Sequence, residues 1–223
     1  VSNILITGTA KGLGKAMKEE LISQGHKVYG FDMKDGNDIR HPEVSEIPEI
    51  DILINNAGVN IINWLEDFEE SDWDKVMDTN AKGIYLMTKA CLPSLIKNKG
   101  TIVNIVSNAA HMPMTCSLAY NASKGAAHIM TLQLARELTK KHDITVFGIA
   151  PNKMSGTGMS DDIDDQVVAT RGWTKEYAQQ YQLNGLLTGE ETPPHRVAEF
   201  LAYLLQDKAH HKCLTGCILP YGA

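Results

Sequence analysis

At 223 residues the chain is long enough for one well-buried α/β domain and short for two. A hydrophobic content of 43% and a formal net charge of −6 describe an ordinary soluble protein and argue against nucleic acid, which selects a basic stripe. No apolar run approaches membrane-spanning length, the N-terminus enters a strand without a signal-peptide pattern, and Cys91, Cys116, Cys213 and Cys217 show no disulfide framework, so a cytoplasmic location is expected.

Ser2 to Thr7, centred on Ile4-Leu5-Ile6, reads as a short apolar strand. It runs into Gly8-Thr9-Ala10-Lys11-Gly12-Leu13-Gly14 and then an amphipathic helix ending near Gln24-Gly25. Strand, glycine-rich turn and helix start together suit a dinucleotide: glycines let the backbone approach a pyrophosphate, and the helix N-terminus offers unpaired N–H groups. Lys27 to Phe31 is the next strand, closed by Asp32, whose carboxylate can accept from adenosine ribose hydroxyls and would repel a 2′-phosphate. Only a polar segment, Lys34 to Pro48, then precedes the strand Asp51 to Ile54, too little for a full helix, strand and second helix. Within it, Asp38-Ile39 is the candidate contact to adenine.

Asn55-Asn56-Ala57-Gly58 follows, with small and amide residues suited to close passage by a cofactor, and Asn56 placed to brace adjacent strands. Helical patterns span Ser71 to Thr79 and Ala81 to Lys97, and Asn80 falls between them, where a helix would kink. Thr101 to Val106 is a β-branched strand, with Ser107 at its carboxyl end. A helix begins at Ala119, with Ala127, Met130, Leu134 and Leu138 at three- and four-residue steps. Tyr120 and Lys124 are therefore i and i+4 on one face. An ammonium beside a phenol favours the phenolate, which predicts a tyrosine pKa lowered from its usual value of about 10. Ser107 can hold a carbonyl or alcohol oxygen against that phenol.

Beyond Pro151-Asn152, the stretch from Lys153 to Glu191 is the least regular, turning helical around Lys175 to Leu183. Trp173, Tyr177 and Tyr181 recur there at four-residue spacing, facing either a ligand or the body of the domain. Pro194 to Leu205 reads as a core-packed helix, and Cys217-Ile218-Leu219 as the last strand. His210-His211-Lys212-Cys213 with Cys217 lacks a second ligand pair at zinc spacing, so no metal site is expected. His111 lies just beyond Ser107, where it either lines a substrate pocket or is solvated.

Taken together, Thr7-Gly8-x-x-x-Gly12-x-Gly14, Asn55-Asn56-Ala57-Gly58, Asn80, Ser107 and Tyr120-x-x-x-Lys124 resemble, in order and approximate spacing, the short-chain dehydrogenase/reductase family. The likeness continues to Leu214-Thr215-Gly216 and Tyr221-Gly222. It implies one Rossmann-type domain over residues 1–223, a doubly wound parallel sheet of about seven strands with helices on both faces. Here that fold would be abbreviated after the second strand, and residues 153–191 would form a substrate lid. It also implies a catalytic tetrad of Asn80, Ser107, Tyr120 and Lys124. Ser107 would position the substrate oxygen, and Tyr120 would act as general acid/base. Lys124 would tune Tyr120 and bind the nicotinamide ribose, and the Asn80 backbone would hold a water linking Lys124 to solvent. Cofactor contacts are implied at Gly8, Thr9, Lys11, Gly12, Leu13, Gly14, Asp32, Asp38, Ile39, Asn55, Ala57, Gly58, Tyr120, Lys124, Pro151 and Thr157. Two departures stand out: Asn152 follows Pro151 where relatives carry glycine, and Thr157-Gly158-Met159 comes one residue late.

The implied activity is an oxidoreductase moving a hydride between a nicotinamide cofactor and an alcohol or carbonyl substrate, with no metal. A catalytically silent dinucleotide sensor or scaffold of the same fold is the alternative. Asp32 argues for NAD, whereas Lys11, aided by Lys34, argues for NADP; the absence of an arginine fork at those two positions favours NAD. A homo-oligomer, tetramer or dimer, is implied through the two long helices of about 81–97 and 119–140.

Overall fold

A computed structural model describes residues 1–43 and 47–222, and for His210 the backbone. The chain alternates strand and helix: β1 (Asn3–Thr7), α1 (Gly12–Ser23), β2 (Lys27–Phe31), β3 (Ile52–Asn55), α2 (Glu70–Met77), α3 (Gly83–Asn98), β4 (Thr101–Ile105). It continues with α4 (Leu118–His142), β5 (Thr145–Pro151), α5 (Gly158–Arg171), α6 (Lys175–Asn184), α7 (Pro194–Leu205), α8 (Lys208–Lys212) and β6 (Ile218–Tyr221). The strands form one parallel sheet in the order β2-β1-β3-β4-β5-β6.

Helices cover both faces because successive strand residues point to opposite sides. Ile4, Ile6, Ile54, Val103 and Phe147 face α1 and α7, where Met17, Leu21, Val197 and Leu201 meet them. Leu5, Leu53, Ile102 and Val146 face α3 and α4, against Met87, Leu95 and Leu138. The buried stripe of α4 is Ala127, Thr131, Ala135 and Leu138; Met130 and Leu134 of the apolar pattern lie beside it, half-buried.

The resemblance implies about seven strands, and among the described residues the sheet has six. The shortening after β2 accounts for the difference: among the described residues no strand pairs outside β2, and β2 forms the sheet edge. Ile39, Ile47 and Ile50 of this short connection fill the α3/α4 face where a helix would otherwise pack. Positions 44–46, inside the polar segment, lie outside the described residues.

The strand order reverses on either side of β1, so the connections leaving β1 and β3 diverge and open a crevice at their carboxyl ends. The sequence builds that crevice tightly. Gly8 sits at φ 73°, and a Cβ there would lie 2.8 Å from the Ala57 Cα. A Cβ on Gly14 would strike the Gly8 carbonyl and lie 2.6 Å from Asn56 Nδ2. Asn56 is the brace: its amide donates to the carbonyls of Thr7 (2.9 Å) and Gly8 (3.1 Å), tying β3 to the glycine turn.

Candidate active site

Two hollows meet at the carboxyl end of the sheet. A cleft of about 560 Å³ runs from the glycine turn and Asp32 to Ser107, Tyr120 and Lys124. A second cavity of about 360 Å³ lies beneath the 153–191 region. Ser107 and Tyr120 line both. The wall they share is where a molecule in one hollow can reach a molecule in the other.

Local bonding fixes that wall. Ser107 caps a single 3-10 turn (Asn108–Ala110), its hydroxyl accepting from the Ala109 N–H at 3.1 Å. Asn121, the residue after Tyr120, donates to the carbonyls of Ala109 (2.6 Å) and Met112 (2.8 Å), so the serine loop is tied to the first turn of α4. One turn further on, Lys124 is 5% exposed and donates to the Ile105 carbonyl at 2.9 Å. Its Nζ lies 5.7 Å from the Tyr120 ring centre.

Burial reverses the expected tyrosine shift. Desolvation pushes the Tyr120 phenol up, and the Ser107 hydroxyl only partly opposes it. Desolvation is the dominant influence on the phenol, and the same burial lowers Lys124 to about 8. Sequence spacing reports proximity of the two groups but not the loss of water around both.

Asn80 sits in a π-helical turn, Asp78–Lys82, that interrupts the run from α2 to α3 at the expected kink. Its side chain accepts from the Val59 N–H (2.8 Å) and donates to the Val59 carbonyl (2.8 Å) and the Ser123 hydroxyl (3.0 Å). It thus clamps the loop after Gly58 onto α4.

Of the residues anticipated as cofactor contacts, Gly8, Lys11, Gly12, Leu13, Gly14, Asp32, Asp38, Ile39, Ala57, Gly58, Tyr120, Lys124, Pro151 and Thr157 line the cleft. Thr9 and Asn55 do not. The Asn55 amide is buried in the sheet, donating to Asn104 at 2.9 Å. Sequence reading missed Arg40, which reaches the cleft because Asp38 holds its guanidinium at 2.6 Å. The same contact keeps the Asp38 carboxyl below its usual range. Asp32 is engaged too, accepting from the N–H groups of Ala10 and Lys34, both at 2.9 Å. Lys11 is largely exposed and lies 3.9 Å from Asp162.

The aromatic stripe divides its roles. Trp173 packs on Ile62, Val167 and Ala178, Tyr181 lines the smaller cavity, and Tyr177 is exposed. His111 is exposed, meets His128 edge-on at 4.4 Å and lines neither hollow. Among the described residues no group of three or more His, Cys, Asp or Glu side chains could hold a metal; the His210 side chain lies outside them.

Residues 41–168 match the family model described as short chain dehydrogenase. The chain is 30% identical to a sorbitol-6-phosphate 2-dehydrogenase of Klebsiella pneumoniae, the alignment covering 96% of this chain and 91% of that one. Among solved structures it is similar to an actinorhodin polyketide ketoreductase with NADPH, at TM-score 0.86 and 24% identity over 98% of this chain and 94% of that one. It is likewise similar to a 3-ketoacyl-(acyl-carrier-protein) reductase from Brucella melitensis complexed with NADH, at TM-score 0.81 and 25% identity, covering 98% and 95%. The motifs, the sheet order and these matches agree: this chain belongs to the short-chain dehydrogenase/reductase family.

Proposed function

We propose that this chain is an NAD(P)-dependent oxidoreductase acting on a small alcohol or carbonyl compound, with Tyr120 as general acid/base. The observation that carries the reading is the shared wall: Ser107 and Tyr120 border both the long cleft and the smaller cavity. A substrate oxygen in the cavity can meet the phenol while the substrate carbon faces the cleft.

The cleft fits a dinucleotide by a test of shape. Side chains at Gly8 or Gly14 would strike Ala57 or the Gly8 carbonyl, so only glycine lets this turn close against β3 and line the cleft with bare backbone at the α1 N-terminus, where a pyrophosphate would sit. When bound, a nicotinamide dinucleotide supplies or accepts the hydride. Asp32 would meet the adenosine ribose, Asp38 and Ile39 would border the adenine, and Pro151 and Thr157 would line the nicotinamide end. Lys124, in this reading, holds the nicotinamide ribose and stabilises negative charge on the phenol. Ser107 orients the substrate oxygen, and Asn80 holds the Val59 loop against α4. No metal takes part.

NAD is the favoured cofactor. Asp32 presents a carboxylate to the cleft, and Arg40 is already bound by Asp38, which leaves a 2′-phosphate the lysines Lys34 and Lys11, the latter 3.9 Å from Asp162 at the surface. A 2′-phosphate would also face Asp32 at close range. The proposal extends to a single domain over 1–223 with residues 153–191 as lid, whose Lys153, Met154, Tyr181 and Leu186 line the smaller cavity. It also extends to a homo-oligomer built on α3 and α4, which expose Tyr85, Ile96 and Ile129. Cytoplasmic residence is supported by the four unpaired cysteines, and no helix among the described residues is long and apolar enough to cross a membrane.

The test follows nicotinamide absorbance while the protein is offered a panel of alcohols and ketones with each cofactor. Turnover supports the proposal. Tight dinucleotide binding with no turnover across the panel would favour the silent sensor.

A further inference from the structure

Within the oxidoreductase reading, on which this inference rests, the 360 Å³ cavity is the substrate's place, and its charge is one-sided. That volume is near the lower end of ligand pockets, about 300–1,000 Å³, so the substrate is small. Among the described residues lining the cavity, the charged side chains are Lys153 and Arg171, and no carboxylate joins them. Lys153 is already compensated, with Asp164 at 2.7 Å, Glu191 at 3.3 Å and the Gln182 amide oxygen at 2.6 Å.

Arg171 is different. Among the described residues no carboxylate pairs with it, and one Nη2 N–H donates to the Thr115 carbonyl at 2.6 Å. Its Nε is buried without an acceptor, a state that calls for an explanation in a native site. The guanidinium is nevertheless held in place. Its carbon lies 4.7 Å from the Trp173 ring centre and 5.8 Å from that of Tyr181, and Trp173 is anchored on Ile62, Val167 and Ala178. Stacking covers the face of a guanidinium and leaves its N–H edge directed in the plane. Nε itself is closed off, so the donors left to a ligand are on the Nη groups, and a fixed pair of such N–H groups matches the two oxygens of a carboxylate or phosphate.

We propose that Arg171 is a specificity-determining residue that binds an oxyanion on the non-reacting end of the substrate. The substrates are then small alcohols or carbonyls carrying a carboxylate or a phosphate.

The experiment compares matched pairs: a hexitol 6-phosphate with its hexitol, and a short 3-oxo acid with its methyl ester. The expected result is at least a tenfold higher kcat/KM for the anionic member of one pair, and the pair that shows it identifies the anion. In Arg171→Gln that preference should fall tenfold or more, and Arg171→Lys should restore part of it. Equal efficiency within both pairs overturns the proposal, as does an unchanged preference in Arg171→Gln, since loss of packing would lower both members together. If no member of either pair is turned over, the oxidoreductase reading is at fault, and calorimetric titration of the two anionic compounds decides the anion site separately. Binding that weakens in Arg171→Gln upholds the site; no binding to the wild type overturns it.

Discussion

Tyr120 and Lys124 stand one helical turn apart, yet the Lys124 ammonium is engaged by the Ile105 carbonyl at 2.9 Å and lies 5.7 Å from the Tyr120 ring centre. The lysine is thus pinned to the end of β4, with the carbonyl that holds it at the floor of the cleft. A cation at that point can reach ligand hydroxyls in the cleft without a rearrangement of α4.

If Tyr120 is the proton donor, Tyr120→Phe removes one oxygen and leaves the ring's packing in place. Turnover should drop by about a hundredfold or more, the usual contribution of a general acid/base, while dinucleotide affinity stays within about threefold. Steady-state kinetics and a fluorescence titration check the two halves. Turnover within tenfold of wild type would refute the assignment.

Lys124 gives a stability prediction with a definite sign. Its folded pKa, about 8, lies below its ordinary value of 10.5, so between those values the unfolded chain binds more protons and stability from this group rises with pH. Below about pH 8 the cost of the buried charge is complete. Lys124→Met should therefore be more stable than wild type at pH 7, by roughly 1–3 kcal/mol after allowing for the lost Ile105 hydrogen bond. The advantage should vanish as pH approaches 10.5. Thermal melts of both proteins across that range test it, and an advantage independent of pH would contradict the buried-charge account.

Asn80 satisfies both backbone groups of Val59 and reaches Ser123 while 1% exposed. Asn80→Ala strands those partners, so a loss of about 2–3 kcal/mol is expected in urea unfolding. Because Val59 lines the cleft, dinucleotide affinity should fall as well. Unchanged stability would mean that water replaces the side chain without cost.

Asp32→Ala tests the choice of cofactor. Wild type is expected to favour NAD by tenfold or more in kcat/KM, and the variant should shift that ratio toward NADP by at least tenfold. NAD efficiency should also fall, because Asp32 anchors the Ala10 N–H of the glycine turn. A ratio that does not move would show that the carboxylate plays no part in discrimination.

Exposed apolar side chains on α3 and α4 predict self-association, with a tetramer expected in sedimentation at micromolar concentration. Ile129→Glu, at a position 61% exposed in the single chain, should dissociate it. A monomer mass for the wild type would rule this out.

Periodicity made much of this architecture legible. Pro194–Leu205 forms the helix its apolar spacing indicates, and the kink expected at Asn80 is a π-helical turn. What stayed hidden depends on distant partners. The helix Gly158–Arg171 carries four aspartates among scattered apolar residues, so its pattern is faint; contacts fix it, Gln166 accepting from the Ile62 N–H at 2.8 Å and the Thr170 carbonyl from the Trp64 indole at 3.1 Å. Arg171 enters its hollow through such a contact as well, with the Thr115 carbonyl, while Arg40 is held by its near neighbour Asp38; no local motif marks either. The upward direction of the Tyr120 shift is hidden for a related reason, since i,i+4 spacing carries no information on burial.

The abbreviated connection after β2 has one more consequence. As an edge strand of the sheet among the described residues, β2 presents a row of main-chain groups at the spacing another strand would need. Its brevity, five residues, and the lysine that opens it are features that discourage such docking. The stretch from Val28 to Phe31 is nonetheless apolar and, Gly30 aside, β-prone, with its side chains half-buried or buried on the sheet faces. During folding at high concentration this margin is the natural template for chain-to-chain pairing, a hazard that a longer connection folded over the same edge would have covered.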